Sequence, residues 1–337
     1  MSQKEPNRRD FLGSVMGAAA ALLSEQVLMA TEAGTGGIPI RPLGRTGERV
    51  SILCLGGWHI GAVEEPNEAV RIMHEAIDGG MTFFDNSWDY HDGGSEEVMG
   101  RALAQEGYRQ RAFLMTKNCE RDYEGSKRNL EESLRRLRTE TIDLWQFHEI
   151  IYDNDPEWVV EKGGLKAALE ARQEGKIRYI GFTGHKDPRI HLKMLGQGHR
   201  WDAAQMPVNV LDAHYRSFQN DVIPVCLENG TGVIGMKSLG GGFPRGIIVS
   251  NTNFQAEDLI RYALSQPISS LVVGILNREE LQQALRIGRG FEPMSEIRQA
   301  ELRDQARGLA GDGRFELFKS TQSFDGAHHR RQHGFST

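Results

Sequence analysis

Four side chains in this 337-residue chain, Asp85, Tyr90, Lys117 and His148, could together move a proton to or from a reacting oxygen. Reducing a carbonyl needs a hydride on one side and a proton donor at the oxygen, and a phenol with an ordinary pKa of about 10 is a slow acid at neutral pH. An ammonium beside it changes that. Lys117 is expected to favour the tyrosinate and lower the pKa of Tyr90, while Asp85 keeps the lysine charged and oriented. His148, donating to the carbonyl oxygen, would polarise and place it. Taken singly, Lys117 and Asp85 are ordinary ion-pair residues and His148 is a core histidine; their joint placement at strand ends gives them meaning.

The strands that would hold them are short apolar runs rich in β-branched and aromatic residues, at 51–55, 82–85, 113–116, 142–147, 177–182, 203–206, 232–236 and 270–273. Segments with helical spacing alternate with them, at 68–78, 95–105, 127–137, 158–173, 190–195, 217–228, 256–264 and 279–286, and another follows at 294–309. Eight strand-then-helix units predict an α/β fold, a closed (β/α)8 TIM barrel, with an open doubly wound sheet as the alternative. No GxGxxG follows the first strand, which disfavours a dinucleotide-binding Rossmann sheet. In a barrel the site lies where strands end and loops begin. Asp85, Lys117 and His148 close the second, third and fourth strand candidates, and Tyr90 follows five residues after Asp85.

The segment from Gly80 to Gly100, with Asp85, Tyr90, Gly94, Ser95, Glu96 and Gly100, resembles the strand-2 signature of the aldo-keto reductases. That family's tetrad is Asp, Tyr, Lys and His at these strand ends, and the resemblance runs from about residue 40 to 285. It implies a nicotinamide cofactor bound in extended form over the barrel mouth. Thr183 and Gln205 match the groups that hold the carboxamide, and Met236 stands where many relatives place an aromatic ring under the nicotinamide. Lys237, Ser238 and Leu239 lead into Gly240, Gly241 and Gly242, where the backbone could approach a pyrophosphate. Gly274 and Arg278 belong to the adenosine end. There the chain departs from the family: Leu276 replaces a basic residue, Glu280 would repel a 2'-phosphate, and Ala284 replaces an amide. Arg278 could substitute, so the resemblance favours NADP(H) and leaves NAD(H) open.

Trp58, His59, Trp88, Glu149 and Tyr152 follow the first, second and fourth strands and could line a pocket for the small-molecule carbonyl substrate; aromatic faces beside carboxylates suit polyols and sugars. A formal charge of -6 argues against a nucleic-acid or anionic-membrane binder. Cys54, Cys119 and Cys226 lie far apart without a CxxC pair, so their spacing marks no disulfide framework or metal site, and no metal is assigned.

Residues 1–33 begin with Arg8 and Arg9 before the apolar run 14–23 and resemble a twin-arginine export signal, too interrupted to span a membrane. They imply passage through the twin-arginine machinery to the periplasm; without such a signal the protein would be cytoplasmic. The barrel is expected over 38–310. The tail 311–337, with His328, His329 and His333, is expected to be solvated and mobile and is assigned no site. The resulting function is hydride transfer between nicotinamide and a carbonyl or alcohol, with Tyr90 as general acid/base. Alternatives are a cofactor-retaining sugar oxidoreductase working by ping-pong exchange, and a non-catalytic nicotinamide-sensing subunit.

Overall fold

The computed structural model describes residues 32–105 and 107–336. The proposed export leader therefore lies outside the described residues, apart from Glu32 and Ala33. These two form a short strand antiparallel to Pro39–Pro42, which pairs in turn with Arg49–Ser51. Leu43 and Val50 of this small sheet are buried among the inward-facing barrel residues Cys54, Phe83, Phe113 and Leu144, so the sheet plugs the barrel floor.

Eight parallel strands close the barrel: β1 Leu53–Gly56, β2 Phe83–Asp85, β3 Phe113–Asn118, β4 Ile142–Phe147, β5 Ile177–Thr183, β6 Ala203–Pro207, β7 Gly232–Met236 and β8 Ser270–Val273. Each pairs with its neighbours in sequence, and β8 pairs with β1. The expected closed barrel is thus the observed one. Side chains alternate across a strand, and this places the chemistry. In β3, Phe113 and Met115 belong to the interior cluster and Lys117 continues their parity; in β2, Asp85 follows Phe83; in β4, Gln146 and then His148 follow Leu144. Parity in β5, β6 and β7 likewise carries Thr183, Gln205 and Met236 to the inner face.

Alternate strand residues such as Leu53, Leu55, Phe84 and Leu114 face outward into the larger core beneath the helices. Two expected helices are divided. The run 158–173 is split into Asp155–Glu161 and Gly164–Gln173 where Gly163 takes a φ of 91°. The run 217–228 breaks at Val222 ahead of Pro224, whose missing N–H suits the first turn of Ile223–Glu228.

The tail differs from its expectation. Residues 311–336 pack across the carboxyl-end loops of the barrel, with short helices Leu317–Ser320 and Ala327–Gln332. Phe318, Lys319, Asp325 and His329 are buried. Composition marks this stretch as polar, yet its charges find partners: Lys319 Nζ lies 2.6 Å from Asp212 and 2.9 Å from Glu316, and Lys186 Nζ lies 2.5 Å from Asp325. Phe318 and Phe324 settle against Gly241, where an added Cβ would meet both rings at 3.4 Å. Burying one such ring contributes about 2–3 kcal/mol.

Candidate active site

Lys117 stands at the centre of the barrel mouth and is 1% exposed. Its ammonium donates to Asp85 Oδ1 at 2.5 Å, to the Asn86 carbonyl at 2.6 Å and to Tyr90 Oη at 3.3 Å. Three acceptors thus fix all three protons of a lysine that burial would otherwise penalise. Tyr90 sits in a short 3-10 turn, Tyr90–Gly93, and Trp58 packs edge-on against it with centroids 5.4 Å apart.

Burial pushes the Tyr90 phenol well above its ordinary pKa, reinforced by the negative charges of Asp85, Asp89 and Glu149. The net direction is thus opposite to the expected lowering, although Lys117 donates to the phenol oxygen. Burial and the surrounding carboxylates outweigh that one ammonium, and Tyr90 keeps its proton as a donor. A cation arriving with a ligand would shift that balance toward the tyrosinate.

His148 follows β4 and is nearly buried. Its Nδ1 lies 3.0 Å from Ser87 Oγ, 3.1 Å from Asp89 Oδ1 and 3.5 Å from Cys119 Sγ. Among the described residues Nε2 has no hydrogen-bond partner, and the ring stands edge-on to Tyr90 at 5.5 Å. Burial works against ionising Asp89, but the charge and hydrogen bond of His148, with Ser87 and His329, hold its carboxyl well below the usual range. Ser87, Asp89 and Cys119 were not singled out from sequence, although two of them lie between Asp85 and Tyr90.

The residues expected to hold a nicotinamide come together. Thr183 and Gln205 are register partners on β5 and β6, both buried. Gln205 Oε1 accepts from Gln146 at 2.9 Å, which leaves the Gln205 amide nitrogen for a ligand. A carboxamide needs a donor and an acceptor in turn, and a hydroxyl beside an amide N–H fits it. Met236 ends β7 beside them. Gln146, absent from the sequence-based set, positions Gln205 and is marked only by its inward parity.

Lys237 has a φ of 57° and a pKa lowered by burial; its ammonium lies 5.5 Å from the Phe318 ring centre and 5.9 Å from that of Phe324. Ser238 is buried and Leu239 half-buried. The glycines after them face tail aromatics as well as the expected pyrophosphate path. Gly274 lies against the His59 ring, which sets His59 at the β1–β8 edge, toward the expected adenosine end. Arg278 is exposed and tied to Glu75, with Glu68 at 3.6 Å.

Of the expected substrate wall, Trp58 and Glu149 line the mouth. Trp88 turns away, donating to Glu132 at 2.7 Å beneath Arg136. Tyr152 donates to Asp325 at 3.0 Å, packs at a tilt against His333 and stacks on Phe335, so the tail occupies its face. Glu149 accepts from the Gly326 amide at 2.8 Å and lies 3.7 Å from His185 and 3.8 Å from His329. Burial raises its pKa to about 7, opposed by His148 and aided by Asp89. Arg121, buried beside it, is paired with Asp155 at 2.9 Å and donates to the His148 and Glu149 carbonyls.

A closed parallel barrel with a buried polar constellation at the carboxyl ends of its strands defines the class of barrel enzymes. The model of the aldo/keto reductase family matches residues 52–259, and the chain belongs to that family. It is 32% identical over 231 residues to an uncharacterized oxidoreductase of Bacillus subtilis, covering 59% of this chain and 66% of that protein. It is 32% identical over 250 residues to an NADP(+) aldo-keto reductase of Schizosaccharomyces pombe, covering 67% and 68%. The chain thus spans about two thirds of these relatives' lengths. The solved holo form of an aldo-keto reductase from Bacillus halodurans has the same fold, with a TM-score of 0.65 at 23% identity, covering 81% of this chain and 96% of that one.

Proposed function

We propose that the protein is an NAD(P)-dependent oxidoreductase that moves a hydride between nicotinamide and a carbonyl or alcohol, with Tyr90 as general acid/base. The observation that carries this reading is the buried ammonium of Lys117, shared among Asp85, the Asn86 carbonyl and Tyr90. A bound nicotinamide, held through Thr183 and Gln205 over Met236, would supply or accept the hydride. Tyr90 delivers its proton to the substrate oxygen as that oxygen gains charge. His148 orients the oxygen, and Lys117 steadies the phenolate left behind. In the reverse direction the phenolate takes the hydroxyl proton.

Trp58, Glu149 and Lys237 around the mouth offer one aromatic face and two polar groups, which supports a hydroxylated, sugar-like carbonyl compound as substrate. At the adenosine end Arg278 could meet a 2'-phosphate by leaving Glu75 and Glu68, and the NADP(+) named for the fission-yeast relative favours NADP(H) over NAD(H). Arg8 and Arg9 support export through the twin-arginine machinery to the periplasm.

Tyr90→Phe tests the central assignment. It removes the transferable proton while keeping the ring against Trp58. The expected outcome is a fall in kcat of at least about 100-fold with NADPH binding, followed by fluorescence titration, within a factor of about two. Unchanged turnover would overturn the role given to Tyr90.

A further inference from the structure

Beside His148, the carboxylate of Asp89 and the thiol of Cys119 meet a second imidazole, His329, which enters from the tail fully buried. Among the described residues His329 Nε2 has no hydrogen-bond partner, and the neighbouring Arg121 is already paired with Asp155 at 2.9 Å.

We propose that Asp89, Cys119, His148 and His329 form a binding site for one divalent transition-metal ion of the zinc type. One donor atom from each residue lies within 4.8 Å of all the others. In a tetrahedral site with metal–nitrogen and metal–oxygen bonds of about 2.0–2.1 Å and a metal–sulfur bond of about 2.3 Å, donors are about 3.3–3.6 Å apart. Asp89 Oδ1 and His148 Nδ1 already lie 3.1 Å apart, and Cys119 Sγ and His148 Nδ1 lie 3.5 Å apart. A small shift of His329 would complete the set.

The donors suit a borderline ion. One carboxylate, two imidazoles and one thiolate match zinc or its spectroscopic substitute cobalt, and the two anionic ligands neutralise the dication. Binding requires the thiol to lose its proton: Cys–SH and M2+ give a sulfur–metal bond and release one H+ to solvent. Ser87 Oγ, 2.6 Å from Asp89 Oδ1, orients that carboxylate. Arg121, 3.5 Å from His329 Nδ1, directs its shorter hydrogen bonds to the His148 and Glu149 carbonyls at 2.8 and 2.9 Å.

Three ligands belong to loops of the barrel mouth and the fourth to the tail, so the ion would clip the tail across the mouth. Metal on Nδ1 would also hold His148 with its proton on Nε2. That second consequence rests on the role proposed above for His148; the binding does not.

The test uses the tag-free full chain, stripped with chelator and titrated with Zn2+ and then Co2+. The expected result is one ion per chain after gel filtration, with the strong visible bands of tetrahedral Co2+ and a thiolate-to-cobalt charge-transfer band. Cys119→Ser removes the charge-transfer band, Cys119→Ser and His329→Gln each weaken binding at least about tenfold, and His328→Gln leaves it unchanged. The inference is overturned if the folded chain takes up no stoichiometric metal, if bound Co2+ lacks the thiolate band, or if binding survives both ligand substitutions.

Discussion

Glu149 carries a conflict between its charge and its surroundings. Burial lifts its pKa from an ordinary 4.5 to about 7, so between those values the folded chain holds a proton that the unfolded chain has released. Stability attributable to this group therefore falls as pH rises through that window, and the ionised carboxylate costs the fold about 3 kcal/mol above it. Glu149→Gln keeps an acceptor for the Gly326 amide and removes the charge. Urea unfolding followed across pH is expected to find the variant more stable by up to that amount at pH 8 and equal to the parent below pH 4.5; equal stability at pH 8 would rule the conflict out. At this scale the tetrad was legible because Asp85, Lys117 and His148 continue the inward parity of their strands. The direction of the Tyr90 shift was not, since it depends on Asp89 and Glu149 being folded against the phenol.

The elements follow the same division. All eight strands were readable from apolar runs bounded by turns, because a strand buried on both faces needs no partner outside the barrel to declare itself. The tail was unreadable by composition: Lys319, Asp325 and His329 look solvated until Asp212, Lys186 and Glu149 are placed beside them by separate βα loops. Removing residues 322–337 therefore tests what the tail does for the site. The barrel core lies elsewhere, in the strand interior and beneath the helices, so the truncated chain is expected to fold. Tyr152 and Lys186 lose Asp325, and Glu149 loses its cover. Steady-state kinetics are expected to give a KM for the carbonyl substrate raised at least about tenfold with a smaller change in kcat. In the same background the pH-dependent advantage of Glu149→Gln should vanish. A KM within twofold of the full chain would show that the tail merely rests on the mouth.

At the scale of the whole molecule, the barrel, the strap across its mouth and the twin arginines near its start bear on one question: where the cofactor is acquired. The tail lies over Gly241 and Lys237, on the expected path of the pyrophosphate, so a dinucleotide threaded beneath it would be slow to leave. Free nicotinamide dinucleotides are expected to be scarce outside the cytoplasm, and twin-arginine export carries folded proteins. The proposed export and the observed strap thus lead to one expectation, a chain that leaves already loaded. Mass spectrometry of small molecules released by denaturing protein from the periplasmic fraction should find NADP(H) or NAD(H) near one per chain, and Arg8→Lys with Arg9→Lys should leave the loaded protein in the cytoplasm. Periplasmic protein that is empty yet binds added NADPH reversibly would separate the two halves of this expectation, sparing the oxidoreductase reading and ending that of a retained cofactor. Protein that is empty and binds neither nucleotide would remove the cofactor assignment itself, however well the four residues at the strand ends are placed.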